Sequence, residues 1–401
     1  MKVAIFLEAN LKNPGGYNQT LSTANFIYNS LNNKRDLVFI VNSFNLSRIL
    51  KKKKINLINY KKNIAEKLFD FFFGLSFLFR FLVKFNIQHS FEKFLRKNNI
   101  DLVIFLSPSE LSLCCGEINF VLNIWDLDHK KNSPFPEHRK NYVYETRENF
   151  LEVVLFKAFK IIVPHEQNKS DLIKLYNCNQ DKILVQALVP YLPVISKERI
   201  ILSKEEEQNI SNLPINKKNI LYPGTFWAHK NHKYILDCAA LLRKENINDF
   251  HFVMCGSDRG TFEYIKQSIK ENNLSEAISL FSLVSDFFLM KLYEKSFAVI
   301  MPIDAGPTNL PLYEAMFFRK PIFYSQNIVG DKEIQNIIIP IDIKDPNSFI
   351  KKIKNIKNVD IIHKIESGVN YYNNYCNQDN IYHLYNNIII EFEKILNQWK
   401  K

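Results

Sequence analysis

Short, nearly continuous apolar runs recur along the chain, separated by longer stretches with helical spacing of their apolar positions. In the first half the runs fall at residues 3–7, 37–41, 56–60, 102–106, 120–124, 161–163 and 183–186. Most segments between them are long enough for a crossover helix. Continuous apolar runs suit strands buried on both faces, so the alternation predicts a parallel, doubly wound α/β architecture. Between about 189 and 219 the texture changes. Pro190 and Pro193 precede the charged stretch SKEEEQ at 203–208, which also suits a short helix, and Pro214 and Lys217-Lys218 follow. The pattern then restarts, with strands at 219–222, 250–255, 278–281, 298–301, 321–324 and 337–341. Helices are predicted at 234–244, 263–271, 287–296 and 312–318, and a long helical pattern closes the chain at 380–399. The expected organisation is a Rossmann-like acceptor-side domain over 1–198, a second Rossmann-like donor domain over 199–378, and a helix at 379–401 packing back on the first. Two such domains facing across a cleft would bind a ligand at the carboxyl ends of both sheets.

Composition narrows the class. Hydrophobic residues make up 46% and charged residues 23% of the 401, as in a soluble globular protein. Met1-Lys2 leads straight into the first apolar run without a small-residue cleavage site, so no signal peptide is expected. The six cysteines have no CxxC spacing and two are adjacent, which points to buried free thiols in a reducing cytosol. The net charge of +12 is unevenly placed. Four lysines at 51–54 are followed by Lys61, Lys62 and Lys67, and then by the block FDFFFGLSFLFRFLVKF, ending at Phe85. Two readings of this 68–85 segment stand: an interfacial helix on an anionic membrane surface, or a helix pair packed in the first domain. Asp70 and Arg80 interrupt it, and the apolar run is shorter than the roughly 20 residues of a membrane span. No nucleic-acid-binding motif accompanies the charge, so nucleic acid is not an expected partner.

Chemistry concentrates in loops that follow strands. The stretch GPTNLPLYEAM, Gly306 to Met316, joins a strand to a helix through Gly and Pro. Its backbone N–H groups and the helix start suit an anion, and Glu314 suits hydroxyl groups, a combination that fits a nucleotide-sugar. Gly15-Gly16, after the opening strand, permits positive φ and close approach of a ligand, with a helix expected from near Gln19. It is not a GxGxxG, which disfavours dinucleotide binding. The loop YPGTFWAHKNH, 222–232, places Lys230 near a helix start as a diphosphate clamp. His229 and His232 lack a third ligand at usable spacing, so no metal is expected. Finally, Trp125-Asp126-Leu127-Asp128-His129 brings two carboxylates and an imidazole to a strand end. There they serve sugar hydroxyls or base chemistry, or cap the loop.

These segments together resemble the GT-B glycosyltransferases, specifically glycosyltransferase family 4 with its "glycosyl transferases group 1" domain. The resemblance is carried between 219 and 346 by YPGTFWAHKNH, FVMCGSD (252–258), LVSDFFLMKLYEKS (283–296) and GPTNLPLYEAMFFRKPIFYS (306–325). The first half fits more loosely, through GGYNQT (15–20), IWDLDHKKNSPFPE (124–137), YETREN (144–149) and HEQNKSDLIKLY (165–176).

The resemblance implies a retaining, metal-independent sugar transfer from a nucleotide diphosphate donor, with no separate cofactor. Lys230 resembles the lysine on the donor diphosphate, and Glu314 the second glutamate of the E-x7-E motif, on the donor ribose. Asn309 and Leu310 would offer backbone amides, Val284 would lie against the base, and Gly16 near the reacting sugar. Gly15, Thr225, Gly306 and Thr308 complete the implied donor set, with Lys230 and Asp126 as catalytic candidates. Three positions depart from the pattern: Gly306 stands where the first glutamate falls, Thr225 where a basic partner of the lysine falls, and Trp125 where a histidine is common. The implied protein is a cytoplasmic enzyme of lipopolysaccharide O-antigen, capsule or related polysaccharide synthesis. It would act on a glycan or lipid-linked glycan at the inner membrane face. The alternatives are a catalytically silent GT-B subunit that binds glycan or a partner, and a GT-B sugar-nucleotide epimerase.

Overall fold

The computed structural model describes residues 1–8, 14–43, 47, 55–61, 88–191, 201–306, 310–326, 331–355 and 358–399. The lysine run at 51–54, the Phe-rich 68–85 block, Thr308 and Asn309 lie outside these residues. The chain divides into two compact units. One comprises Met1–Trp125, Glu145–Ala187 and Asn377–Lys401, the other Asp126–Tyr144 and Leu188–Cys376.

Among the described residues of the first unit, seven strands form one parallel sheet. They are β1 (Lys2–Leu7), β2 (Asp36–Val41), β3 (Leu57–Asn59), β4 (Leu102–Phe105), β5 (Asn119–Asn123), β6 (Lys160–Val163) and β7 (Ile183–Val185), in the order β3-β2-β1-β4-β5-β6-β7. Each predicted apolar run of this half lies on one of them. The interior strand β1 pairs Val3 with Leu37 on one side and Leu102 on the other, and its side chains are buried from Val3 to Leu7. A strand buried on both faces has no solvent side to alternate with, so its sequence reads as an unbroken apolar run.

The closing helix, Gln378–Trp399, packs along Pro14–Leu31 within this unit. Ile381, Tyr385, Ile388, Ile389 and Phe392 are buried, and the Phe392 ring meets Phe159 edge-on at 5.3 Å. Arg35 to Glu393 (3.2 Å) and Lys160 to Glu391 (2.7 Å) flank this face. A buried aliphatic or aromatic side chain contributes about 1.5–3 kcal/mol, against at most ~1 kcal/mol for an exposed ion pair, so the apolar stripe holds the helix.

In the second unit the described strands are β8 (Lys218–Pro223), β9 (Phe250–Cys255), β10 (Ile278–Phe281), β11 (Ala298–Met301), β12 (Ile322–Ser325) and β13 (Ile339–Ile341). They form a parallel sheet in the order β10-β9-β8-β11-β12-β13. The order reverses between β8 and β11, as it does between β1 and β4 in the first unit. At such a reversal the loops leaving neighbouring strands diverge and open a crevice at the carboxyl ends. The charged stretch after the junction forms the helix Lys204–Ser211, closed by a capping box between Ser203 and Glu206. The six cysteines are all buried as free thiols. No helix among the described residues is long and apolar enough to cross a membrane.

Candidate functional site

The crevice between β8 and β11 is built by the two loops that leave these strands. After β8 the chain turns through Gly224 and Thr225 to a single 3-10 turn, Ala228–Lys230. Asn231, in the left-handed conformation (φ 49°), then opens the helix His232–Lys244. The turn is fastened from below: the Tyr222 hydroxyl donates to the Lys230 carbonyl at 2.6 Å. His232 is buried, stacks on Phe226 at 4.2 Å and puts Nε2 3.3 Å from the Gly224 carbonyl oxygen. That imidazole serves the inside of the loop, and burial drives its pKa down to about 3. Gly256, after β9, is required by close approach: a Cβ there would stand 2.1 Å from the Gly224 oxygen and 2.9 Å from the Thr225 nitrogen. β9 thereby braces the β8 loop.

After β11 the chain reaches Gly306 at φ +89°, a conformation that disfavours any side chain. A Cβ at 306 would also begin 3.0 Å from Asp128 Oδ2, 3.8 Å from Lys230 Nζ and 3.9 Å from His229 Nε2. Conformation and crowding together account for the glycine where the resemblance has a glutamate. The two loops are tied by the Asp304 N–H, which donates to the His229 carbonyl at 2.8 Å.

The acidic wall of this point comes from Asp126–Tyr144, the stretch that packs with the second unit although a predicted first-domain strand precedes it. Asp126 Oδ1 accepts the Asp128 N–H at 3.1 Å and so caps its own loop, while the buried Asp128 sends its carboxylate toward Gly306. Further along, Glu137 Oε1 binds His229 Nδ1, and the Phe135 ring meets the same imidazole edge-on at 6.0 Å. The side chains of His229 and Glu137 are 12% and 5% exposed, so this hydrogen bond is shielded from solvent.

The charges respond to this packing. Burial lowers the Lys230 amine to about 8, and Asp128, Asp126 and Glu137 limit the fall. Burial likewise depresses His229, with Glu137 opposing and Lys230 assisting. For Glu137 burial is the strongest influence and acts upward, but the bond from His229, backbone hydrogen bonds and the His229 charge together outweigh it, and the carboxyl ends below its usual range.

Glu314 lies on the helix Leu310–Phe317, 5% exposed, and its Oε2 accepts the Tyr293 hydroxyl at 2.8 Å. Burial raises its pKa to about 7, the Tyr293 bond works against this, and Asp286 adds to it. Tyr293 belongs to Asp286–Lys295, the helix after β10, and stacks on Phe318 at 4.9 Å. The half-buried Val284 sits in the turn before that helix. Ser285 caps the helix at Phe288 (3.1 Å), and the Ser285 N–H donates to Glu206 at 3.4 Å.

The structure therefore brings Lys230, Gly306 and Asp128 to one point, with Thr225, Val284, Leu310 and Glu314 on elements at the same edge of the second sheet. Thr308 and Asn309 lie outside the described residues. Gly15 and Gly16 belong to the first unit and differ from expectation. They form the first turn of Pro14–Leu31 rather than a preceding loop, and neither has positive φ. Pro14 at the helix start is preorganised for that turn, and the Thr20 hydroxyl bonds back to the Gly16 carbonyl at 2.8 Å. The His229–Glu137 pair escapes sequence reasoning because its members are 92 residues apart.

Both units are doubly wound parallel sheets, as in the GT-B fold. Residues 203–362 match the family model described as Glycosyl transferases group 1, and the fold is that of the GT-B glycosyltransferases. A glycosyltransferase from Rickettsia africae ESF-5 superposes with a TM-score of 0.69 at 17% identity, over 98% of both chains. Anabaena Alr3699/HepE, solved with UDP and glucose, gives 0.68 at 12% identity over 98% of this chain and 100% of that one. The O-antigen chain mannosyltransferase RfbU of Salmonella typhimurium is 25% identical over 209 residues, 52% of each protein. The match thus spans about half of that relative's length.

Proposed function

We propose that this chain is a retaining glycosyltransferase that moves a sugar from a nucleotide diphosphate donor to a surface glycan. Lipopolysaccharide O-antigen is the favoured product class, and capsule or a related polysaccharide the wider one. The observation that carries the reading is the convergence of the Lys230 amine on the Gly306 turn at the reversal point of the second sheet. Charge develops on the leaving diphosphate during sugar transfer, and a desolvated amine at that point stabilises it far better than water would. On this reading Thr225, Thr308, Asn309 and Leu310 line the diphosphate, Val284 the base and Glu314 the ribose. Gly15, Gly16 and Asp126 serve the sugar end. The chain needs no separate cofactor and no metal. The nucleotide complex of HepE and the O-antigen activity in the name of RfbU support the donor type and product class.

A thermal-shift panel of UDP-, GDP- and other nucleotide sugars tests the donor. One nucleotide family should raise the melting temperature, and incubation with acceptor glycan should yield product with the donor's anomeric configuration by NMR. An absence of shift with every nucleotide would favour the silent-subunit reading that Gly306, Thr225 and Trp125 leave open.

We place the protein in the cytoplasm, on the inner membrane face, through the basic residues at 51–67 and the Phe-rich 68–85 segment. Flotation with anionic vesicles should carry the protein upward at low salt and release it as screening rises. Sedimentation away from the vesicles at low salt would reject the membrane assignment.

A further inference from the structure

We propose that His229, held in place by Glu137, is a second anion-binding group beside Lys230 and takes up a proton when a nucleotide diphosphate binds. The inference rests on the donor-site reading above and adds a residue to it. Glu137 receives His229 Nδ1, which fixes the ring and places the proton of the neutral imidazole on that nitrogen. Nε2 then points the other way, 3.9 Å from the place where a side chain at Gly306 would begin, and Lys230 Nζ lies 3.8 Å from the same place. Two nitrogen bases from one loop therefore converge on one point in the crevice. The Trp227 ring lies nearly parallel to the imidazole, 6.5 Å between centroids. Thr225 leaves the loop without the basic partner for Lys230 that the resemblance implies, and His229 is the imidazole built into that same loop.

The proton balance follows from the surroundings. Facing His229 are Glu137, Asp126 and Asp128 from the Asp126–Tyr144 stretch, Asp304 from the loop after β11, and Lys230 from its own loop. Burial and the Lys230 charge keep the imidazole below its ordinary value despite Glu137. Neutral at pH 7, Nε2 carries a lone pair and has nothing to donate to a phosphate. A bound diphosphate brings negative charge to the point where the Asp128 carboxylate stands, which raises the affinity of Nε2 for a proton. One proton passes from solvent to Nε2, and the new N–H donates to a phosphate oxygen. The bound-state pKa thus exceeds the free one, so nucleotide affinity rises as pH falls between them and levels off below the free value.

The test is titration calorimetry of the full chain with UDP and GDP near pH 7, in two buffers of different protonation enthalpy. Wild type should take up between about half a proton and one proton per nucleotide, and bind more tightly toward about pH 6. His229→Gln should abolish that uptake and weaken binding near pH 6 by about 10- to 100-fold, the range of one hydrogen bond to a charged group. Glu137→Gln should shift the affinity profile to lower pH without flattening it, an effect that loss of packing alone would not produce. This variant also serves if His229→Gln fails to fold. Uptake by Lys230 belongs to a window near pH 8 and persists in both variants. Nucleotide binding with no uptake, or with uptake unchanged in His229→Gln, overturns this inference and leaves the donor site standing. Failure of wild type to bind either nucleotide overturns both.

Discussion

Replacing Lys230 by Ala should reduce kcat/KM for the donor by about 10²–10³-fold, the cost of removing one preorganised group from developing charge. The expectation follows from its position rather than from charge alone. The amine is desolvated, faces Gly306 and is held by a turn whose carbonyl is bonded to Tyr222. Arg should not restore the activity, because a planar fork cannot occupy a space shaped by a single amine beside Asp128 and His229. The wild-type profile gives an independent check. Burial brings the amine to about 8, and only the protonated form stabilises a diphosphate. Activity should therefore be full below that value and fall as pH rises through it. The free protein governs kcat/KM, so its limb should lie near pH 8, while the limb in kcat moves higher because bound phosphate favours the ammonium. A flat kcat/KM profile from pH 7 to 9, with an active Ala variant, would remove Lys230 from the site.

Glu314→Gln should separate stability from activity. The carboxyl has a raised folded value, about 7 against 4.5 for a free glutamate. A raised value means the folded state binds the proton more tightly. The corresponding stability is fully present below about pH 4.5 and is lost as pH rises through 7. The difference amounts to about 3 kcal/mol, so above pH 7 the native protein carries a buried carboxylate at that cost. Gln keeps an acceptor for the Tyr293 hydroxyl and has no charge to bury. At pH 8 the variant should melt several degrees higher than wild type, by roughly 2–4 °C per kcal/mol, with the gap closing toward about pH 5. Donor KM should rise by about 10- to 100-fold, since ribose hydroxyls lose a charged acceptor. Equal melting at pH 8 would contradict the burial argument. Unchanged KM would remove the ribose from Glu314.

The parallel sheets were legible because fully buried strands leave unbroken apolar runs, from 3–7 to 337–341. Their ends were less so. Lys218 and Pro223 belong to β8 yet interrupt the apolar pattern, since a terminal strand residue is not obliged to be apolar. In the site, Lys230 and Gly306 stand out in sequence because each sits in a strand-to-helix loop, and Glu314 because it follows such a loop on the helix Leu310–Phe317. Their surroundings do not. Tyr293 approaches Glu314 from a different helix, and Asp128 and Glu137 approach the β8 loop from the far side of two intervening strands in the chain. Nor does a local pattern announce the positive φ of Gly306, because strand-to-helix loops tolerate glycine in either hand. Pairings between distant segments depend on tertiary packing, which periodicity does not encode.

The Asp126–Tyr144 stretch makes the second unit discontinuous in sequence. A gene fragment starting at the apparent junction would encode the second sheet whole but omit Asp128 and Glu137. Recombination at that junction between relatives would join a Lys230–His229 loop to another protein's acidic partner. A substitution at His229 and one at Glu137 therefore act on the same contact although they lie in different halves of the gene.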